Sequence, residues 1–404
     1  MKKKLFFLCS LLINVFIYTE KGIVIVPVSD LVGQPIQTFF PFQSVEESYS
    51  RMPWGYHKKD YRICPRIHQL IFHEIVDIID EKKDEVAVRI PQLFYQTAHT
   101  KEPQSVYWTL KRNIIPFSTL IKSGIDIEKL PAPIEYINHS DEKHHNNIVT
   151  LIEPHTDIQR GISFSAGTRF KYTIFNNEDA IRVYYLDPTK ITIACTDIPR
   201  YKLHIFQPKP IKARLKDFLA IVRKWAHLQK GVIPYLWGGC SFLDIHENNH
   251  FILKKNIVNG NELGYYARPF FKKKYKSGYD CSNLIARAAQ IVGLPYFYKN
   301  TFTLLNNLST ITPYQKIEDG DLIWITGHVF IVANVKENTV IEAHAYDGGY
   351  GQVQEVPLFK VFKDIYSFKQ LQDHCSAKKP LYRLKKDCSH LETYSELRFL
   401  RIAT

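Results

Sequence analysis

A cysteine at the start of a predicted helix is the residue of this chain best suited to covalent chemistry. Residues 278–283 read Gly-Tyr-Asp-Cys-Ser-Asn, and apolar residues then recur at helical spacing until Gly293 and Pro295 end the pattern. Cys281 is therefore predicted at a helix N-terminus, where first-turn N–H groups and the helix dipole favour a thiolate. A lone cysteine is more often an inert core residue, so the prediction of chemistry depends on its neighbours.

Two histidines follow the cysteine on segments predicted to be neighbouring strands. The chain from 320 to 345 contains three short runs rich in β-branched and aromatic residues, separated by turn residues, which is typical of an antiparallel meander. If Lys336–Asn338 form the second turn, Phe330 faces His344. His328 and His344 then lie one diagonal step apart on the same face of the sheet.

These three residues fit the roles of nucleophile, base and orienter. His328 would take the thiol proton of Cys281, and His344 would hold the imidazole of His328 in the correct tautomer. A single histidine in a strand is more often a satisfied core residue. The ordered trio, however, favours catalysis, because each residue type matches one required role.

The motifs around these residues resemble those of NlpC/P60 cysteine peptidases. Tyr-Asp-Cys-Ser at Cys281, Gly-His-Val at His328 and Glu-Ala-His-Ala at His344 are similar to the catalytic elements of that family, and Pro-Tyr-Leu-Trp-Gly-Gly at 234–239 is similar to the element preceding its nucleophile. The resemblance covers residues 211–404. It implies a papain-like domain that hydrolyses peptidoglycan stem peptides, usually between γ-D-glutamate and meso-diaminopimelate or lysine.

The chain before this domain resembles bacterial SH3 domains of the subgroup that carries two of them. Residues 26–31 and 66–80 are similar to the opening of the first module. The resemblance implies a first SH3-like domain over 21–130, a linker over 131–160 and a second SH3-like domain over 161–206. The expected fold class is α+β, with a C-terminal papain-like domain preceded by two small all-β SH3-like barrels. Generic β-barrels without a retained ligand are the alternative.

Family resemblance also implies a set of substrate contacts. In the two-SH3 subgroup the first module forms a wall of the active site, so that only stem peptides with a free N-terminal L-alanine fit. Tyr235 and Asp280 correspond to the residues of that subgroup that contact the free amine. A carboxylate binds an ammonium through charge-assisted hydrogen bonds, although Asp280 is equally suited to capping the helix. Ser282 would offer its N–H or hydroxyl to substrate, and the N–H of Cys281 would join the oxyanion site. Less specific matches are Glu74, Tyr107, Asn300 and Thr301.

One departure from the family is an insert over residues 240–276, where the family has a short loop. It contains residue types that bind zinc, but a fourth ligand with recognisable spacing is missing. A solvated surface excursion is therefore favoured over a metal site, and neither a metal nor another cofactor is expected. A further interpretation is that the insert narrows the groove beside Cys281. The residues considered as zinc ligands are Cys240, Asp244, His246, Glu247 and His250.

Residues 1–20 are typical of an export segment. Lys2–Lys4 precede an apolar run from Leu5 to Tyr18, which suits a signal peptide but is too short for a confident membrane span. No small-x-small cleavage site follows, so an N-terminal anchor is the alternative. A periplasmic or secreted location is expected.

Composition agrees with an exported multidomain protein. The length of 404 residues suggests two to four domains, and the net charge of +13 allows attraction to anionic envelope polymers or a merely solvated basic surface. Nucleic-acid motifs are absent from the sequence, so no nucleic-acid partner is expected. Seven cysteines suit one free catalytic thiol, and no disulfide pairing can be deduced.

Three function classes follow. The first is a cell-wall cysteine endopeptidase acting on muropeptide stems, and the second is a catalytically inert SH3 protein that binds cell wall. The third is an acyltransferase or amidase on the same papain-like fold, because the same thiolate forms the same acyl-enzyme. The intact set of Cys281, His328 and His344 favours an enzyme over the inert binder. The sequence does not indicate an oligomeric state.

Overall fold

Strands rather than helices account for most of the ordered elements in this computed structural model. It describes residues 19–55, 64–90, 93, 95–97, 100, 102–131, 147–173, 179–207, 209–229, 231–243, 251–258, 261–269, 276–294, 300–346 and 348–402. Over these residues the architecture is mixed α and β, rich in sheet and with few helices. The α+β class is confirmed in that coarse sense.

A first β unit precedes residue 131. Its elements are β1 (Glu20–Val24), β2 (Val28–Val32), α1 (Val45–Arg51), β3 (Arg66–Ile71), β4 (Ile75–Glu81), β5 (Glu85–Arg89), β6 (Val106–Leu110), β7 (Ile114–Pro116) and α2 (Phe117–Lys122). The strands form one antiparallel sheet in the order β3-β2-β6-β5-β4-β1-β7. Branched and aromatic side chains fill its core, among them Leu31, Val88 and Tyr107.

A second β unit follows, with β8 (Ile148–Leu151), β9 (His155–Asp157), β10 (Ile162–Phe164), β11 (Arg169–Thr173), β12 (Ala180–Asp187), β13 (Thr192–Pro199) and β14 (Leu203–Ile205). Its main sheet has the order β13-β12-β11-β8-β14, and β9 pairs with β10. The unit begins before the expected boundary at 161, because β8 pairs with both β11 and β14. The predicted linker over 131–160 therefore contains two strands.

The two β units are joined at Phe72 and His73. Phe72 lies in the core of the second unit, with its ring centroid 5.1 Å from that of Phe164. His73 adopts a left-handed φ of 70°. Its Nδ1 lies 3.1 Å from Arg169 O, and its Nε2 accepts from Leu186 N at 3.1 Å. Nδ1 therefore carries the proton of a neutral imidazole.

The C-terminal domain contains most of the helical residues. Its elements are α3 (Ile211–Ala226), β15 (Cys240–Ser241), β16 (Phe251–Val258), β17 (Asn261–Pro269), β18 (Gly278–Tyr279), α4 (Cys281–Val292), α5 (Thr301–Asn307), β19 (Ser309–Thr310), β20 (Leu322–Ile325), β21 (His328–Asn334), β22 (Thr339–Ala343), β23 (Val353–Pro357), α6 (Leu358–Val361), α7 (Phe368–Ser376), β24 (Leu381–Leu384), β25 (His390–Tyr394) and β26 (Leu397–Arg401). The main sheet has the order β19-β26-β20-β21-β22-β23.

This sheet has apolar side chains on both faces. One face packs against α3 and α4, where Trp225, Ile285 and Ile331 share a cluster. The other packs against α6 and α7, where Phe330 and Leu371 share a second cluster. Because successive strand residues point to opposite faces, β21 contributes to both clusters in alternation.

The 240–276 insert is partly built into the fold. β15 pairs with β18, directly before the α4 helix, and β16 and β17 form a hairpin. The hairpin is attached to the C-terminal domain, since Asn256 Nδ2 donates to Lys386 O at 2.7 Å. Gln352 Nε2 also donates to Tyr265 O at 3.3 Å. The prediction of a solvated excursion is therefore wrong for β15, whose Cys240 is buried.

The expected export segment lies mostly outside the described residues, which begin at residue 19. Glu20, its last residue, is the first residue of β1 and pairs with Ile78. Within the described part of the chain, no helix is both long enough and apolar enough to cross a bilayer.

We expect His73 to make stability depend on pH. Burial lowers its pKa from 6.5 to about 4, so the unfolded chain binds a proton more readily than the folded protein between those values. The neutral imidazole contributes fully to the free energy of unfolding above pH 6.5. This contribution falls by about 3 kcal/mol as the pH falls towards 4. Urea unfolding of wild type and His73→Asn across pH 4–7 measures the difference. Asn tolerates the left-handed backbone but does not titrate.

The difference between the two proteins isolates His73 from the other histidines, which are common to both. A wild-type minus variant difference that is constant from pH 4 to 7 would contradict the prediction.

Candidate active site

The helix predicted to start at Cys281 does so. The α4 helix runs from Cys281 to Val292 and ends at Gly293, which adopts a left-handed φ of 72°. Only glycine reaches that conformation without steric cost, which explains why the helical pattern stops there. The Cys281 side chain packs with the cluster that contains Val329 and Ala343, and the residue is 9% exposed.

Asp280 is the N-cap of this helix. Its Oδ1 accepts from Asn283 N at 2.7 Å and from the hydroxyl of Ser282 at 3.0 Å. Its Oδ2 accepts from Asn283 Nδ2 at 3.0 Å. The capping role considered for Asp280 is therefore present in the structure, and the predicted contact with a substrate amine stays a prediction. Ser282 directs its hydroxyl to Asp280.

Tyr235 lies on a segment that connects the two halves of the site. Its N–H donates to Gly351 O at 2.8 Å, and Gly351 N donates to His344 O at 3.0 Å. On the other side, Leu236 N donates to Tyr279 O at 3.1 Å, just before Cys281. The segment therefore hydrogen-bonds both to the strand that leads into α4 and to the loop after β22.

The second glycine of the pair that ends this segment is required by a close steric contact. A Cβ on Gly239 would lie 2.5 Å from the carbonyl oxygen of Gly278. Only glycine allows the backbone of the Tyr235 segment to approach β18 so closely.

Electrostatic effects on Tyr235 show which groups surround it. Burial raises the pKa of its hydroxyl well above 10.0, the acidic groups Cys281, Asp280 and Cys64 raise it further, and Arg383 lowers it. Each of these charges must lie near the phenol to act on it. Tyr235 therefore lies in the electrostatic surroundings of Cys281, Asp280 and Arg383.

The strands that carry the two histidines form the predicted meander with a different register. Ile331 pairs with Ile341, and a bulge lies between Val332 and Asn334. The expected pairing of Phe330 with His344 is wrong by two residues: Asn334 rather than Val335 pairs with Thr339, and the bulge shifts the register by one more residue. Continuing the observed register places His328 opposite His344, and their ring centroids are 5.1 Å apart.

His328 makes its described hydrogen bond to a carboxylate rather than to His344. Its Nε2 lies 2.9 Å from Glu342 Oε2, and Arg383 donates to the same oxygen at 2.6 Å. Burial and then the positive charge of Arg383 lower the pKa of His328 well below 6.5. The imidazole is therefore neutral near pH 7, as a general base requires.

His344 is held by the loop that follows it. A side chain at Gly349 would collide with the imidazole, so the close approach of this loop requires glycine. Burial is the largest cause that lowers the pKa of His344, again well below 6.5. Its expected role as orienter of His328 stays a prediction, whereas the contact with Nε2 belongs to Glu342.

Sequence reasoning missed Glu342 and Arg383. The available signal was a carboxylate between Ile341 and Ala343, in a strand of otherwise apolar character. A buried carboxylate needs a partner, and this requirement points to a nearby cation or histidine. Nothing in the sequence around Arg383 marks it as that cation.

The less specific candidates for substrate contacts make hydrogen bonds within the protein. Glu74 accepts from Arg287 at 2.7 Å, and Tyr107 is fully buried with its hydroxyl 3.2 Å from Leu93 O. Both contacts are structural. Asn300 caps α5, and Thr301 O accepts from the Trp324 indole at 2.8 Å.

The predicted zinc-ligand types all belong to the insert. Asp244, His246, Glu247 and His250 lie outside the described residues. Among the residues that the structure describes, no group of three or more His, Cys, Asp or Glu side chains could hold a metal ion.

Comparison with known proteins gives structural likeness at low identity. No family model and no curated protein matches the chain. An NlpC/P60 family protein from Bacillus cereus is similar with a TM-score of 0.49 and 14% identity, over 84% of this chain and 94% of that one. NlpC2 from Trichomonas vaginalis is similar with a TM-score of 0.29 and 12% identity, over 84% and 92% of the two chains.

The peptidoglycan hydrolase RipB from Mycobacterium tuberculosis is similar with a TM-score of 0.23 and 23% identity, over 37% of this chain and 62% of that one. With TM-scores below 0.5, these likenesses do not decide the function of this chain. The functional argument rests on the residues around Cys281.

We expect Cys281 to react with iodoacetamide at pH 7 about tenfold faster than Cys195 or Cys388, although only the latter two are exposed. The helix N-terminus and the neutral base His328 promote its thiolate, which is the reactive form. Peptide mass spectrometry resolves the three sites within one sample, and His328→Ala removes the base as a control. Slower labelling of Cys281 than of both exposed cysteines would contradict activation.

Proposed function

We propose that this chain is a cysteine peptidase that hydrolyses peptidoglycan stem peptides between γ-D-glutamate and meso-diaminopimelate or lysine. The observation that carries the proposal is the placement of Cys281 at the start of α4, in the buried cluster that contains Val329 and Ala343, the sequence neighbours of His328 and His344. Through Glu342, Arg383 is connected to His328. The arrangement supports a nucleophile and a neutral base in one site.

Acyl transfer to the thiol is the first step of the proposed mechanism. Nδ1 of His328 accepts the thiol proton, because Nε2 is directed to Glu342. The Cys281 thiolate then forms a C–S bond with the scissile carbonyl, and the N–H of Cys281 stabilises the oxyanion. When the C–N bond breaks, His328 returns the proton to the leaving amine.

Hydrolysis of the thioester completes the cycle. A water molecule gives a proton to His328 and attacks the acyl carbon, and the C–S bond breaks. The proton returns to the sulfur, so that the thiol and the neutral imidazole are restored. Water is the acceptor in this proposal, which makes the chain a peptidase rather than a transferase.

The first β unit provides one wall of the proposed substrate groove. Trp237 N donates to Trp54 O at 2.8 Å, and Arg66 donates to Trp237 O at 3.1 Å. Trp237 follows Tyr235 closely in the chain and is 41% exposed. This contact supports a groove that is closed on the side of the substrate N-terminus, as SH3-like modules before a papain-like domain would provide.

A closed groove favours stems with a free N-terminal L-alanine. Asp280 is proposed to accept hydrogen bonds from that ammonium, together with the hydroxyl of Tyr235. In intact peptidoglycan the same nitrogen is a neutral amide. The substrates are therefore soluble stem peptides, and the proposed location is periplasmic or secreted.

We expect Cys281→Ala and His328→Ala each to lower turnover of a stem tripeptide by at least about a thousandfold, because nucleophile and base act as one unit. His344→Ala should keep residual activity. Mass spectrometry of the cleaved peptides measures the rates, and Cys195→Ala, which removes an exposed cysteine elsewhere, should behave as wild type. Full cleavage by either of the first two variants would exclude the mechanism.

We also expect kcat/KM for L-Ala-γ-D-Glu-meso-diaminopimelate to exceed that for its N-acetylated form by about tenfold or more, since acetylation removes a charge-assisted hydrogen bond. Asp280→Asn should abolish this preference and keep the helix cap. Asn283 can accommodate the change by an amide flip, because its buried Oδ1 has no hydrogen-bond partner among the described residues. Equal values for the two peptides in wild type would leave Asp280 as a cap only.

A further inference from the structure

A buried carboxylate contacts the proposed base. Glu342 Oε2 lies 2.9 Å from His328 Nε2, and the side chains are 5% and 6% exposed. An ionised carboxylate only accepts hydrogen bonds, so Nε2 must carry the proton. A neutral imidazole then has its lone pair on Nδ1, which is the tautomer that can receive a proton from a thiol.

Arg383 pairs with this carboxylate and holds it in place. It donates to Glu342 Oε2 at 2.6 Å from a side chain that is 2% exposed. Its guanidinium carbon lies 4.9 Å from the ring centroid of Phe330, and the Phe330 ring is 4.6 Å from that of His328. Burying a carboxylate is costly unless it is paired, so Arg383 supplies what the ionised form of Glu342 requires.

His344 does not occupy the position beside Nε2 of His328 that Glu342 holds. Its ring packs against Gly349, and its carbonyl oxygen accepts from Gly351 N at 3.0 Å. These contacts place the ring beside that of His328, while the Nε2 position is occupied by Glu342. The two residues can therefore be separated by mutation.

We propose that Glu342, held by Arg383, is the positioning residue that sets the tautomer and orientation of His328. The inference rests on the proposed function of His328 as base. It adds to that function a carboxylate orienter, in a role that the sequence pattern had given to His344.

Alkylation of Cys281 by iodoacetamide tests this inference without any substrate. In the full-length protein, Glu342→Ala should lower the rate by about a hundredfold, as expected when a general base is lost. Glu342→Gln should stay within about tenfold of wild type, because an amide oxygen still accepts from Nε2, although without charge assistance. His344→Ala should cost less than Glu342→Ala. The inference is overturned if Glu342→Ala labels at the wild-type rate or if His344→Ala is the slower variant.

A double variant separates positioning from a purely structural role. In a His328→Ala background, adding Glu342→Ala should leave the alkylation rate unchanged, because Glu342 acts through His328. A second hundredfold loss would overturn the inference. If Glu342→Ala does not fold, the comparison is made with Glu342→Gln, and nitrogen NMR of wild type should show the His328 proton on Nε2. A proton on Nδ1 would also overturn it.

The proposed substrate can be disproved independently of the role of Glu342. Wild-type protein that leaves stem peptides intact while its variants follow the alkylation pattern above would retain the role of Glu342 and remove the proposed substrate.

Discussion

Arg287 carries a permanent charge to a position with no exposed surface, on the same helix as the proposed nucleophile. Four acceptors surround it: Glu74 at 2.7 Å, Gln290 at 2.8 Å, Cys240 O at 3.0 Å and Gln69 O at 3.3 Å. A buried cation tolerates little displacement, because losing one partner leaves charge uncompensated. Two of these acceptors belong to the first β unit, so the helix of the proposed nucleophile is positioned by a part of the chain far away in sequence.

Local patterns were sufficient to predict the elements that carry the proposed catalytic residues. The helix that starts at Cys281 follows from the apolar spacing after it and from the glycine that ends it. The strands of His328 and His344 follow from runs of β-branched residues between turns. Each of these signals lies close in sequence to the feature it predicts, which is why no knowledge of the rest of the fold was needed.

Features that depend on distant partners could not be predicted in this way. The bulge near Val332 changes the register of β21 without a glycine or proline to mark it. Glu342 gains its position from Arg383, which is 41 residues away. The early start of the second β unit at Ile148 depends on pairing with strands that follow it. In each case the deciding energy is a long-range contact, and a single sequence does not display such contacts.

Phe72 has a consequence for how this architecture could have arisen. Because a side chain of the first β unit completes the core of the second, the two units are not interchangeable parts. Deleting the second would leave a phenylalanine and a buried histidine in water, and replacing it with another small β unit would require a new cavity of matching shape. We therefore expect gene rearrangements to transfer the two units together, although each unit has a sheet of its own.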